Sequence, residues 1–212
     1  MKVTRLFPRN VEEGSYMEHL AIFAARRCRT VKSIEDLRLE VGDYSLSHKK
    51  TFLNKVVNED WALDVLEFPY LIFDIEDVPV WLMIEFLRHR LISRDFSFEQ
   101  LSQRAMDPGR LKVDFPKGFE DQMANYLGWI EDWAKDEKIP NEILRSLYPQ
   151  GVLVNFVVAA NLRAWQHVFY MRMSEEEGGK GGAHPKFQEL AGEFYRQAQE
   201  VYPLSLTEVL PA

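Results

Sequence analysis

The chain has 212 residues, of which 46% are hydrophobic and 28% charged, and its formal net charge is −7. That is material for one domain over residues 1–212 with a sizeable core. The acidic balance argues against a surface for a nucleic-acid polymer. The longest apolar run, around Val78–Leu87, is broken by Glu85 and too short to span a membrane. The opening Met1-Lys-Val-Thr-Arg-Leu-Phe-Pro lacks the apolar stretch of a signal peptide, and one cysteine, Cys28, permits no internal disulfide. A cytoplasmic protein in a reducing compartment is expected.

Taken in order, the first predicted element is a helix over Glu12–Arg29, with Met17, Leu20, Ala21 and Ala24 at helical spacing. A second helix is predicted over His48–Asn58. Pro69–Val78 is rich in aromatic and β-branched residues and predicts a strand. Pro79 suits a first helical position, so a helix is expected from there to Arg90. Ser93–Gly109, with its serines and Pro-Gly, reads as a functional loop. Gly118–Lys138 is amphipathic and carries Tyr126, Trp129 and Trp133. Gly151–Ala160 reads as a buried strand, or a strand entering a helix over Asn161–Met173. Glu175–Gly182 reads as a flexible loop, and Pro185–Val201 as the last substantial helix. Few strands, many helices and no βαβ rhythm give an α+β class.

Two clusters carry chemistry. Arg88-His89-Arg90 ends an apolar helix and is followed by Ser102-Gln103-Arg104. Arginine forks match phosphate oxygens in bidentate fashion, although basic residues also complement the dipole at a helix C-terminus. The second cluster is Asn161, Arg163, His167 and Arg172 within an otherwise hydrophobic segment. Arg163 and His167 are four apart and share a helix face. Either this is a solvated stripe, or the arginines seek anions inside the core. Two anion-seeking groups in a small acidic protein suggest a nucleotide or a dinucleotide cofactor. The five histidines, at 19, 48, 89, 167 and 184, form no metal-ligand pattern, so no metal is expected.

These segments resemble the flavin-dependent thymidylate synthase family. Arg88-His89-Arg90 and Ser97-Phe-Glu-Gln100-Leu-Ser102-Gln103-Arg104 are similar to its Arg-His-Arg helix end and its Ser-Tyr-Asn-Glu-Leu-Ser-Gly-Arg loop. Ala24-Ala25-Arg26-Arg27-Cys28 resembles its Ala-Ala-Arg-x-Ser/Cys segment. Leu66-Glu67 with Ile72-Phe73-Asp74-Ile75 resembles its Phe-Glu-His and Phe-x-Phe stretch. Arg145-Ser-Leu-Tyr-Pro149, Asn161-Leu-Arg163 through Arg172, and Ala183-His184-Pro-Lys-Phe-Gln-Glu resemble three later motifs in the same order.

The resemblance implies helices packed around a small, mainly antiparallel sheet. It implies bound FAD, methylenetetrahydrofolate as carbon donor, NADPH as reductant, and conversion of dUMP to dTMP at C5. FAD contacts would be Arg88, His89, Arg90, Gln100, Asn161, Arg163, His167 and His184. Contacts to the pyrimidine deoxynucleotide monophosphate would be Glu85, Arg88, Gln100, Ser102, Gln103, Arg104, Arg145 and Arg172. Arg172 would favour ionisation of the pyrimidine N3. A homotetramer with shared active sites is implied as well.

The chain departs from the family pattern at several places. Four extra residues separate Arg90 from Ser102. Gln103 replaces a Gly and Ala105 a Tyr. Glu85 stands where the family has Gln, Gln100 where it has Glu, and Phe68 where it has His. A carboxylate accepts from the amino group of cytosine and opposes O4 of uracil. Two alternatives therefore stand beside dUMP methylation: a hydroxymethylating or dCMP-modifying flavoenzyme, and a non-catalytic nucleotide-binding homologue.

Overall fold

The computed structural model describes residues 1–59, 62–89, 97–100 (as backbone) and 111–207. At its centre are two long antiparallel strands, β2 (Tyr70–Pro79) and β4 (Leu153–Asn161), with Phe73 opposite Val158 and Ile75 opposite Phe156. Strand β1 (Lys2–Phe7) flanks β2, and β3 (Ser97–Gln100) flanks β4. The sheet order is β1-β2-β4-β3, with every pairing antiparallel. Alternation along β2 sends Leu71, Phe73 and Ile75 to one face, where all are fully buried. The register shifts between Ile75 and Val78. Asp77 takes a left-handed backbone there (φ 56°), and its N–H donates to Asn155 Oδ1 at 2.9 Å.

The buried face is covered by α4 (Val80–Phe86), α7 (Leu162–Arg172) and α8 (Pro185–Val201). Phe86, Trp165 and Phe194 meet with ring centroids 5.0–5.9 Å apart, and Phe73 packs edge-on to Trp165 at 5.1 Å. Such aromatic packing dominates core energetics in a chain of this size. It also sets the heights of α4 and α7 over the sheet, and hence where their C-terminal ends meet.

A second, smaller core joins α1 (Val11–Arg27), α2 (Ile34–Gly42) and α3 (Leu46–Asn54) around Ile22, Leu37 and Leu53. Asn10, Ser33 and Ser45 cap these three helices through their side chains. Where α1 crosses α8, a Cβ on Gly14 would lie 1.9 Å from the Val201 carbonyl oxygen, so only glycine permits that approach. Nearby, Glu18 is fully buried and its Oε1 accepts from the N–H groups of Leu204 (3.0 Å) and Ser205 (2.7 Å). Two further α-helices among the described residues are α5 (Glu120–Asp136), in which Trp129 and Trp133 stack, and α6 (Asn141–Leu144).

Several expectations need correction. Strand β1 and helix α2 lie where no element was expected. The predicted helix to Arg90 ends at Phe86, and Leu87, Arg88 and His89 form the turn after it. The helix expected over His48–Asn58 begins at Leu46 and ends at Asn54. It passes into a π-helical turn, Lys55–Glu59, followed by a 3-10 turn, Leu63–Glu67. The expected loop Ser93–Gly109 contains β3. The segment expected as a flexible loop at Glu175–Gly182 folds as a hydrogen-bonded turn, with Lys180 N–H on Tyr170 O and Gly181 N–H on Met173 O.

Candidate functional site

The site forms where the turn after α4 meets the last turn of α7. Helix α7 starts directly from β4. Asn161 ends the strand, and its Oδ1 accepts from Ala164 N at 2.9 Å, capping the helix. The apolar stripe of Trp165, Val168 and Phe169 faces the core, which turns His167 and Arg172 toward the end of α4.

There Arg172 Nε donates to His89 Nε2 at 2.6 Å. The guanidinium lies over the Phe187 ring, 4.8 Å from its centroid, a cation–π distance. Its Nη1 stands 3.9 Å from Glu85 Oε2. His89 is only 7% exposed, and its ring packs edge-on to His167 (5.6 Å) and Phe187 (6.1 Å).

The electrostatics follow from this packing. Burial, then the charge of Arg172, then His167, lower the His89 pKa to about 4, so the imidazole is neutral near neutral pH. Burial and Arg172 also lower the His167 pKa. Desolvation lowers that of Arg172, with Glu85 opposing and Arg88 adding to the effect; arginine nevertheless remains a cation. The result is a half-buried cation held by neutral groups, beside a single carboxylate.

Of the expected site residues, Glu85, Arg88, His89, His167 and Arg172 come together. Arg88 is exposed. Arg163, one turn before His167, is half exposed and paired with Glu67. Asn161 acts on the backbone as a cap. His184 caps α8 by accepting from Lys186 N at 3.2 Å, and its ring lies edge-on to Trp81 at 4.7 Å. Arg145 is exposed at the start of a 3-10 turn, Arg145–Leu147. Arg90, Ser102, Gln103 and Arg104 lie outside the described residues, as does the side chain of Gln100.

Phe187 and Glu67 were not among the expected site residues. Both stand inside quoted motif stretches, but an apolar ring and an ordinary surface carboxylate carry no signal apart from their partners. A groove of about 450 Å³ is lined by Phe23, Ala25, Arg27, Cys28, Asp64 and Phe68, the residue after Glu67. Phe68 is 50% exposed there. Among the described residues, no helix is long and apolar enough to cross a membrane.

Comparisons with known proteins identify the family and the fold. A family profile described as thymidylate synthase complementing protein matches residues 12–204. The flavin-dependent thymidylate synthase of Mycobacteroides abscessus is 29% identical over 180 residues, covering 74% of this chain and 67% of that protein. That of Mycobacterium marinum is 31% identical over 66% of this chain, which spans 61% of that relative's length. A probable flavin-dependent thymidylate synthase of Mycobacterium phage D29 is 26% identical over 91% of this chain and 83% of its own.

Among solved structures, the flavin-dependent thymidylate synthase of Helicobacter pylori, complexed with FAD and dUMP, superposes with a TM-score of 0.69. It shares 18% identity and covers 99% of this chain and 100% of its own. The UMP/dUMP methylase PolB of Streptomyces cacaoi, bound with 5-Br dUMP, gives 0.69 at 17% identity, with 96% and 92% coverage. At those identities the structures establish the fold. The profile match over most of the sequence establishes the lineage: this chain is a divergent member of the flavin-dependent thymidylate synthase family.

Proposed function

We propose that the protein binds FAD and methylates dUMP at C5 to give dTMP, with methylenetetrahydrofolate as carbon donor and NADPH as reductant. The observation that carries this reading is Arg172, a half-buried cation oriented by His89 and Phe187 at the junction of α4 and α7. A fixed, partly desolvated guanidinium is suited to an anionic, planar ligand edge. In this reading Arg172 faces the pyrimidine and stabilises its N3-ionised form, which makes C5 more nucleophilic.

The residues present fit a flavin dinucleotide. Arg88 and Arg163 offer exposed guanidinium groups for a pyrophosphate. His167 Nδ1 is buried and has no hydrogen-bond partner among the described residues, which leaves it able to serve a polar ligand atom once the site is occupied. When bound, the reduced flavin supplies the reducing equivalents for the transferred carbon. His184 and Asn161 act mainly on helix ends, and their contribution to FAD is indirect. Arg90, Ser102, Gln103, Arg104, Arg145 and Gln100 complete the proposed nucleotide and cofactor contacts. The Helicobacter pylori structure with FAD and dUMP supports the ligand pair. Assembly as a homotetramer belongs to the same reading.

A second reading keeps the flavin and changes the base. Glu85 Oε2 stands 3.9 Å from Arg172 Nη1. A carboxylate there accepts from the cytosine amino group and opposes O4 of uracil, a difference of about 1–3 kcal/mol in a desolvated site. The experiment for both readings is purification followed by nucleotide titration. The protein should be yellow, or take up FAD, and dUMP should alter its flavin fluorescence. A colourless protein that takes up no flavin refutes both. Tighter binding of dCMP than dUMP, reversed by Glu85→Gln, selects the second.

A further inference from the structure

Arg172 is gripped at one atom and on one face, and the grip leaves its charge intact. We propose that His89 is a positioning residue for Arg172: its neutral Nε2 accepts the Nε–H and aims the two Nη groups at the ligand. The inference rests on the reading of Arg172 as the pyrimidine-facing group.

A guanidinium has five N–H donors on a flexible stem, and freezing that stem opposes binding unless the protein has already done so. Here Nε is occupied by His89 and one face of the plane is covered by Phe187. The Nη edge remains to form a fork. A carboxylate at position 89 would orient Arg172 as well, but it would neutralise the charge that attracts an anion. A neutral imidazole orients without cancelling it, and Glu85 at 3.9 Å is too far for a direct hydrogen bond to Nη1.

The surroundings keep His89 in the required state. Among the described residues, the charged and titratable groups near it are Glu85 and Arg88 on its own segment, and His167 and Arg172 on α7. Phe187, on α8, is uncharged. Burial and the two α7 neighbours oppose protonation. A protonated His89 would turn an N–H donor toward the Arg172 N–H, 2.6 Å between nitrogens, and the lock would open.

The acceptor role demands one tautomer, with the proton on Nδ1. Imidazole nitrogen NMR on the purified protein, with His89 assigned through His89→Gln, should show an unprotonated Nε2 that stays so down to about pH 5. A proton on Nε2, or titration near the ordinary value of about 6.5, overturns the proposal. This measurement decides the lock even if the protein binds no nucleotide, an outcome that would refute the functional reading alone.

The functional half uses dUMP affinity. His89→Leu, compared with wild type at equal flavin occupancy after loading with excess FAD, should weaken dUMP binding about ten- to a hundredfold, the range for one charge-assisted hydrogen bond. His89→Gln, whose Oε1 can take the acceptor position, should recover most of that loss. In an Arg172→Ala background neither substitution should have a further effect. Equal losses from Leu and Gln, or flavin loss in both with dUMP affinity intact, would make His89 a direct flavin contact and overturn the proposal.

Discussion

Glu18 offers a test of how this fold holds its C-terminal segment. The carboxyl is fully buried, and burial raises its pKa from 4.5 to about 7 against the lowering pull of the Ser205 and Leu204 amides. Between about pH 4.5 and 7 the folded chain keeps a proton that the unfolded chain has released. Stability from this group is therefore complete below about pH 4.5, falls as pH rises, and is lost above about 7. At about 1.4 kcal/mol per pH unit, the loss is about 3 kcal/mol. Glu18→Gln mimics the protonated form: its Oε1 still accepts from both amides, and nothing titrates. The variant should match wild type near pH 4.5 and exceed it by about 3 kcal/mol near pH 8. Urea unfolding at both pH values measures this. If Glu18→Gln gains no stability near pH 8, or keeps the wild-type slope with pH, the assignment of a buried, protonated carboxyl is wrong.

Gly14→Ala should destabilise by about 1–3 kcal/mol, because its Cβ meets the backbone of Val201 rather than a movable side chain; an unchanged Tm would contradict this. Arg163→Ala should cost at most about 1 kcal/mol, since its pair with Glu67 is half exposed, yet weaken FAD binding about tenfold; a flavin titration beside a melting curve separates the two effects. Arg172→Ala and Arg172→Lys should both abolish turnover while retaining FAD, the lysine failing because an ammonium has neither the fork nor an Nε–H for His89. Near-normal activity in either variant would remove Arg172 from the chemistry.

Much of the architecture was legible in the sequence. The central strands are legible in their aromatic, β-branched and apolar runs, and α8 in the proline that opens it. Strand β1 also alternates, but at six residues, none fully buried, its pattern is too short and too polar to stand out. Helix α2 carries a capping signal at Ser33 and Asp36, but it has too few apolar residues to stand out. The end of α4 falls short of Arg90 although no glycine or proline between Phe86 and Arg90 marks the stop. The site divides along the same line. Arg172, His89 and Glu85 were found as residues through motif resemblance. Their mutual contact was not, since it depends on two helices converging from strands far apart in sequence. Phe187 was hidden for that reason.

Both helices that bear the site begin without a connecting loop. Pro79 ends β2 and starts α4, and Asn161 ends β4 and caps α7. Each helix is thus geared to a strand register. One residue inserted within Val80–Phe86 or Leu162–Arg172 would rotate everything beyond it by about 100° and advance it about 1.5 Å, and one inserted within β2 or β4 would send the side chains beyond it to the opposite face. Either change would take the imidazole from the guanidinium. In this chain, residues can be added without disturbing that contact only outside these two spans, which act as fixed rulers between sheet and site.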